Sequence, residues 1–294
     1  MIEATGYFGE LGNGVSKPKK MLCSDGVIRV VKFNYPAQWN RSLFHEFVCY
    51  RLAELLELPV LNQIFVRVPT EVAEAYSTVE GMSDGIKVGT PYVDIEHNLA
   101  NDGLLREPLP SLYGSCRNVT VIPGIFAFDI WVHNSDRGAN MGNILVVPDK
   151  AGARHLFLND HGYAFMFPGA TMERYKMLRE FRGASLTWQQ HMFPSGPIYE
   201  SMKIHIDLMD SNNNPFLPFI ERIQAVEESE LVGIMEQVPD EWSIPDFEKD
   251  AVVSFLYERR QAVRLCIDSL VSRWYFTIWN GGGLAWPDSC VNLG

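Results

Sequence analysis

Two acidic residues on either side of a predicted β-hairpin constrain this fold more than any other feature of the sequence. Asp136 lies in a polar loop before an apolar run at residues 144–147, and Asp160 follows a second apolar run at residues 155–158. A hairpin returns its two ends to the same edge, so the two carboxylates are expected to lie close together. Clustered carboxylates repel each other unless a cation lies between them. The pattern therefore predicts a cation site at the open end of the hairpin, although either aspartate alone also fits an ordinary turn.

Two asparagines in the loop after Asp136 extend this pattern. Asn140 lies in the middle of the loop, and Asn143 directly precedes the first strand of the hairpin. In phosphoryl-transfer enzymes one aspartate orients a hydroxyl, while an asparagine and a second aspartate hold Mg²⁺. Mg²⁺ binds one or two carboxylates together with phosphate oxygens and water, which fits this set of donors. The loop thus predicts a catalytic Asp136 and a metal-binding Asp160, and it leaves the choice between Asn140 and Asn143 open.

The N-terminal part of the chain supplies a candidate phosphate site. Gly14, Ser16 and Lys17 lie in a glycine-containing loop, where backbone N–H groups can approach anionic oxygens, although Gly-Asn-Gly also fits a plain turn. Lys32 is near the end of a predicted strand, and a lysine there can reach into a nucleotide cleft. Glu46 falls in the predicted helix that follows, where a glutamate can position such a lysine.

The rest of the chain is predicted to be mainly helical. Residues 41–56 form the helix that carries Glu46, and residues 119–133 form a buried helix that leads into the Asp136 loop. Residues 215–238 and 247–271 are each predicted to form one amphipathic helix.

Composition excludes several classes of partner. The 294 residues include 25 basic and 36 acidic side chains, and the resulting net charge of −11 argues against nucleic acid or an anionic membrane as a direct partner. The five cysteines form no CxxC pair, so neither a zinc site nor a disulfide framework is indicated. The first residues do not resemble a signal peptide, and no apolar run approaches the length of a membrane span. These features predict a soluble, cytoplasmic protein with reduced thiols.

Together, the motifs resemble those of the HipA-like kinases, a branch of the protein-kinase-like fold. The most specific segments are NSDRGANMGNILV and FLNDHGYAF, and the Asn-x-Asp-Arg loop is also similar to that of phosphatidylinositol 4-kinases. The segments GNGVSKP, DGVIRVVKF and HEFVCYRLAELLELPV resemble the family in the same order. The resemblance implies an α+β fold with two lobes: a small β-rich N-terminal lobe at residues 1–93 and a larger, mainly helical lobe at residues 94–294.

The same resemblance implies a role for each site residue. It assigns Asp136 to catalysis, Asn143 and Asp160 to metal binding, Lys32 and its helix partner Glu46 to phosphate contact, and Gly14, Ser16 and Lys17 to the nucleotide phosphate loop. Related loops usually place the asparagine five residues after the aspartate, where this chain has Met141. Asn143 is favoured because it precedes the strand as the family's asparagine does, and Asn140 is its competitor.

The resemblance implies ATP and Mg²⁺ as cofactors and a serine or threonine of a protein as the phosphate acceptor. It also raises an antitoxin-like or regulatory protein as a partner. Two alternatives stay open: a catalytically weak kinase fold kept as a binding or regulatory module, which the asparagine spacing motivates, and a kinase that acts on a lipid or small molecule. Phosphorylation of Ser16 would place negative charge against ATP, so it is a candidate for self-inhibition.

Overall fold

The computed structural model describes residues 1–11, 17–34, 41–93, 95, 107–165, 176, 178, 194–210, 212–273 and 275–287. Within these ranges the N-terminal part is rich in β-strands and the remainder is mainly helical. The predicted α+β arrangement is therefore confirmed. The division of the chain at residue 93 stays a prediction.

The N-terminal strands form a closed barrel in the part of the chain that the structure describes. The barrel strands are β1 (Ile2–Glu10), β2 (Lys19–Cys23), β3 (Ile28–Lys32), β4 (Ile64–Val68) and β5 (Gly85–Pro91). Their order is β1-β2-β3-β5-β4, and a parallel pairing of β1 with β4 closes the ring. Successive side chains of a strand point to opposite faces, so alternate apolar residues fill the interior. Met21, Val31 and Val66 are among them, and each is fully buried.

A buried helix, α1 (Ser42–Leu55), lies between β3 and β4 in the chain. It confirms the helix predicted over residues 41–56. Burial covers 11 of its 14 residues, which leaves only a narrow exposed face. A helix with apolar residues all round is covered on most sides. Its apolar side chains belong to the same core as those of the helical part, whereas the interior of the barrel is a separate apolar cluster.

The helical part surrounds a two-stranded hairpin. A short helix, α2 (Thr70–Ala75), lies between β4 and β5 in the N-terminal part. The elements of the helical part are α3 (Leu109–Gly114), α4 (Ile122–Val132), β6 (Ile144–Pro148), β7 (Arg154–Leu158), α5 (Pro197–Met202), β8 (Asp207–Leu208), α6 (Leu217–Ala225), α7 (Glu228–Glu236), α8 (Asp246–Ser272) and β9 (Ile278–Trp279). The predicted hairpin is confirmed, with Ile144 paired to Leu158. So is the predicted buried helix, because every residue of α4 is buried. Among the described helices, none combines the length and apolar character needed to cross a membrane.

One predicted helix is wrong, because residues 215–238 form two helices. The chain is extended at Val226 and Glu227, between α6 and α7. Glu227 and Glu230 form a capping box, in which each side chain accepts a hydrogen bond from the other residue's backbone N–H. This reciprocal cap satisfies free N–H groups and starts a new helix. By contrast, the helix predicted over residues 247–271 is confirmed as α8.

Candidate active site

Three of the predicted site residues meet between the barrel and the hairpin. Lys32 is the last residue of β3, Glu46 lies in the second turn of α1, and Asp160 follows β7. The Lys32 ammonium Nζ lies 2.6 Å from Glu46 Oε1 and 3.5 Å from Asp160 Oδ1. The structure thus brings together a cation and two carboxylates from three separate elements.

Burial and mutual charge set the protonation of this group. Burial, with the Asp160 charge adding to it, raises the pKa of Glu46 to about 7 against the opposing effect of Lys32. Burial alone would raise the pKa of Asp160, but the Lys32 charge and a hydrogen bond with Glu46 outweigh it and hold that pKa below its usual range. Burial opposes the charge of Lys32, yet both carboxylates together raise its pKa above the ordinary value. Asp160 is therefore the firmly ionised carboxylate of the group.

Asp136 and Asn143 are in contact at the other side of the cleft. The chain leaves α4 in a left-handed conformation at His133, and Asn134 Oδ1 then accepts a hydrogen bond from the Asp136 N–H at 3.1 Å. The Asn143 Nδ2 group donates to the Asp136 backbone carbonyl at 2.8 Å and to Asp136 Oδ2 at 3.3 Å. Burial raises the pKa of Asp136, and the Asp160 charge acts in the same direction while Asn143 opposes it. Asn143 thereby fixes Asp136 through both its backbone carbonyl and its carboxylate.

The two asparagines differ in their surroundings. Asn143 is fully buried, and its Oδ1 atom has no hydrogen-bond partner among the described residues. Asn140 is exposed, and its Oδ1 accepts a hydrogen bond from the Gly142 N–H, so it caps the short 3₁₀ turn Met141–Asn143. A buried oxygen without a donor is costly in a folded protein unless a ligand meets it. Of the two asparagines, Asn143 is thus the one that contacts Asp136 and whose buried oxygen lacks a donor among the described residues.

Arg137 is a site residue that the sequence reasoning missed. Its side chain is completely buried and forms an ion pair with Asp129 of α4 at 3.0 Å. It also donates to the backbone carbonyl of Asn143 at 2.6 Å and to that of Asn159. Burial and the Arg137 charge lower the pKa of His161, so the neutral ring can accept from Arg137 through Nδ1 at 3.1 Å. One guanidinium therefore joins the Asn143 and Asp160 segments. The single acid in the apolar helix α4, Asp129, is the sequence signal from which a buried basic partner could have been predicted.

The turn after Asp160 is anchored to α1. The His161 backbone N–H donates to Glu46 Oε1 at 2.9 Å, and the Gly162 carbonyl lies 2.9 Å from His45 Nδ1. Asp160 itself has a φ of 55°, which is unusual for a residue other than glycine. Strain of this kind costs about 1–3 kcal/mol and is concentrated at functional sites. The metal-binding candidate is thus held in place by the same glutamate that contacts Lys32.

The predicted phosphate loop is not brought to this group by the described residues. Lys17 forms an ion pair with Glu80 at 2.6 Å, and 40% of the Lys17 side chain is exposed. Gly14 and Ser16 lie outside the described residues. Their assigned roles stay predictions.

A cavity extends from Lys32 into the cleft between the barrel and the hairpin. Val30 and Val88 form apolar walls from β3 and β5, and Leu158 contributes from β7. Lys32 and Glu46 lie at its charged end. The lining of this cavity therefore combines apolar side chains with one cation and one carboxylate.

Comparison with known proteins relates this site to a family. Residues 8–266 match the family model described as HipA-like kinase. The crystal structure of the Helicobacter pylori proinflammatory kinase CtkA is similar to this chain, with a TM-score of 0.56 and 14% sequence identity over 93% of this chain and 97% of CtkA. The crystal structure of the Golgi casein kinase with Mn/ADP bound gives a TM-score of 0.48 and 10% identity over 98% of this chain and 78% of that one. The comparison with curated proteins found no match. The likeness to CtkA confirms the predicted kinase-like fold.

Proposed function

The chain belongs to the HipA-like kinases, and from this membership we propose that it transfers the γ-phosphoryl group of ATP, with Mg²⁺, to a serine or threonine hydroxyl of another protein. The observation that carries the proposal is the meeting of Lys32, Glu46 and Asp160 in one cleft, with Asp136 and Asn143 in contact beside them. Phosphoryl transfer requires positioned phosphates, a metal site and an acceptor-orienting carboxylate, and these residues provide each of them.

The residues present fit a Mg²⁺ ion. Asn143 Oδ1 is buried and has no donor in the part of the chain that the structure describes, and Asp160 is held ionised by Lys32. No group of three or more His, Cys, Asp or Glu side chains that could hold a metal occurs among the described residues, so the other ligands would be phosphate oxygens and water, as Mg²⁺ prefers. When bound, the ion neutralises charge that develops on the transferred phosphoryl group. Asn143 and Asp160 would hold it.

The remaining residues have distinct tasks in this proposal. Lys32 donates to the phosphates of the nucleotide, and Glu46 fixes the direction of its ammonium group through the 2.6 Å contact. Asp136 accepts a hydrogen bond from the acceptor hydroxyl and takes its proton, a role for which a carboxylate with a raised pKa is suited. Arg137 keeps the backbone of both metal-binding segments in place through its hydrogen bonds.

The two aspartates provide the test of this function. Transfer of labelled phosphate from ATP should fall by about 10²–10⁴-fold in Asp136→Asn, because loss of a general base has an effect of this size. Asp160→Asn should show a loss that added Mg²⁺ does not restore. Asp250→Asn, on the exposed surface of α8, is the matched control and should keep wild-type transfer. Unchanged transfer in both active-site variants would exclude the proposed function.

The acceptor class requires a separate experiment. Phosphoproteomics of cells that express the wild type or Asp136→Asn should reveal serine or threonine sites that depend on Asp136. A partner of the antitoxin-like or regulatory kind would be found among proteins that co-purify with both forms. If no protein site changes while phosphatidylinositol vesicles become labelled, the acceptor is a lipid and the protein-kinase part of the proposal is wrong.

A further inference from the structure

A short segment of the helical part reaches across to the barrel and to α1. This segment, residues 237–242, lies between α7 and α8 and is called the tether below. Its 3₁₀ turn, Asp240–Trp242, is followed by a left-handed residue, Ser243, so the chain reverses sharply there. The tether contacts β4, and it also contacts β5, which pairs with the strand of Lys32, and α1, which carries Glu46.

The tether satisfies the backbone of one residue in β5. The Ile86 N–H donates to Glu241 Oε1 at 2.5 Å, and the Ile86 carbonyl accepts from the Trp242 indole N–H at 2.8 Å. Strand β5 pairs with β3 only over residues 88–91, so Ile86 lies beyond the end of that ladder. Ile86 is half-buried, and two side chains of the tether pair both of its backbone groups.

The contact with β5 requires a glycine. A Cβ atom at Gly85 would lie 2.0 Å from Glu241 Oε1, and Gly85 has a φ of +95°. Glu241 Oε2 also lies 3.3 Å from Arg67 Nη2 on β4. The carboxylate is therefore seated against two barrel strands.

The tether also packs on the helix that carries Glu46. The Trp242 ring lies edge-on to Phe47 of α1 and to Phe65 of β4, with ring centroids 6.1 Å and 5.9 Å away. Phe47 and Phe65 stack on each other at 5.0 Å. One turn further along α1, Arg51 donates to Gln237 at 2.7 Å. Because Phe47 is the residue after Glu46, a ring that holds Phe47 also restricts rotation of α1 about its axis.

We propose that Trp242 and Glu241 are positioning residues of the kinase reaction, which hold α1 against the barrel so that Glu46 stays on Lys32. The proposal rests on the function proposed above. A displacement of about 1 Å at a catalytic constellation can lower the rate about 10²-fold. The tether acts at a distance from the nucleotide, through Phe47 and Ile86, and touches no reacting group.

The tryptophan gives the first test. Trp242→Ala should lower kcat for Mg²⁺-dependent ATP turnover about 10–100-fold, while the KM for ATP changes by less than about threefold, because orientation of the phosphates is lost more than their binding. Trp242→Phe keeps the ring against Phe47 and should restore most of kcat. Trp279→Ala removes another tryptophan whose indole N–H donates to a backbone carbonyl, that of Gly282, and should behave as wild type.

The glutamate gives an independent test that does not rely on a large truncation. Glu241→Gln keeps an oxygen for the Ile86 N–H and should retain kcat, whereas Glu241→Ala loses it and should lower kcat in the same way as Trp242→Ala. Circular dichroism and thermal melts give the folded fraction of each variant. If Trp242→Ala does not fold, this glutamate pair decides the question.

The outcomes separate this inference from the function on which it rests. If the wild type shows no Mg²⁺-dependent turnover that Asp136→Asn abolishes, the proposed function fails. If the wild type is active and Glu241→Ala has wild-type kcat per folded molecule, the function stands and the positioning role is wrong. A loss of kcat that Glu241→Gln restores, with KM nearly constant, supports the positioning role.

Discussion

The two asparagines of the Asp136 loop lie three positions apart but have opposite environments. Asn143 Oδ1 is buried and has no hydrogen-bond partner among the described residues, whereas Asn140 Oδ1 accepts a hydrogen bond from the Gly142 N–H. Replacement of Asn143 by alanine should weaken Mg²⁺ binding about 10–100-fold or more, which is the loss expected even for residues that only support a metal ligand. The measurement is the Mg²⁺ concentration that gives half-maximal ATP turnover.

Asn140→Ala is the matched control for this prediction. It removes only a cap on an exposed 3₁₀ turn, so its Mg²⁺ requirement should stay close to that of the wild type. The assignment of Asn143 to the metal would be wrong if the two variants required the same Mg²⁺ concentration, or if Asn140→Ala were the more impaired.

At the level of residues, the sequence predicts site residues that lie at the ends or turns of predicted elements. It misses contacts that depend on how distant segments pack. Lys32, Glu46 and Asp160, which are in contact, could be predicted because local patterns indicate a strand end, a helix turn and a hairpin end. Lys17 forms an ion pair with Glu80, 63 positions away, which no local pattern indicates. Its role in the phosphate loop stays a prediction. Arg137 was not predicted as a site residue, because the carboxylate that pairs with it, Asp129, belongs to another element, α4.

Helix α4 and the Asp136 loop form one unit through the buried pair of Asp129 and Arg137. Asp129 also accepts a hydrogen bond from the Tyr199 hydroxyl at 2.8 Å, which extends the unit to α5. Asp129→Ala should lower the free energy of unfolding by about 3–5 kcal/mol, because it leaves a buried guanidinium without its carboxylate. Urea denaturation measures this change.

The exposed pair of Lys17 and Glu80 is the comparison for that prediction. Both side chains are well exposed, so Glu80→Ala should cost less than about 1 kcal/mol. Equal losses in Asp129→Ala and Glu80→Ala would mean that the buried pair contributes no more than a surface pair, contrary to its complete burial.

At the level of elements, periodicity predicts the helices but not every boundary. The buried helices α1 and α4 and the long α8 follow from their apolar patterns. The break between α6 and α7 does not, because apolar spacing continues across it while the Glu227–Glu230 capping box restarts the helix. The contacts of the tether were not predicted either, since Trp242 lies 195 positions from Phe47 and 177 positions from Phe65 in the chain.

For the whole molecule, the proposed site predicts a coupling between ligand binding and stability. ATP with Mg²⁺ at about 100 times its Kd should raise the free energy of unfolding by about 2.7 kcal/mol, since a ligand that binds only the folded state stabilises it. EDTA should remove the part of this gain that depends on the metal. Thermal melts with ATP alone, with Mg²⁺ alone and with both measure the two parts.

Asp160→Asn and Asp250→Asn complete that experiment. The first should lose the metal-dependent gain, because Asp160 is the ionised carboxylate that we propose holds the metal, and the second should keep it. A metal-dependent gain that survives in Asp160→Asn would remove this residue from the metal site, and no gain from ATP in the wild type would contradict nucleotide binding.

The place of α1 in the chain differs from its place in the core. It is encoded between two barrel strands, yet Leu43, Phe44 and Val48 belong to the apolar cluster that they share with α4 and α8, and α8 ends at Ser272. Domains often fold as they are synthesised, at about 5–20 residues per second. Here the barrel and α1 are synthesised before α4 and α8, whose apolar side chains share a cluster with those of α1. The N-terminal barrel therefore carries an uncovered apolar helix until α8 has been synthesised.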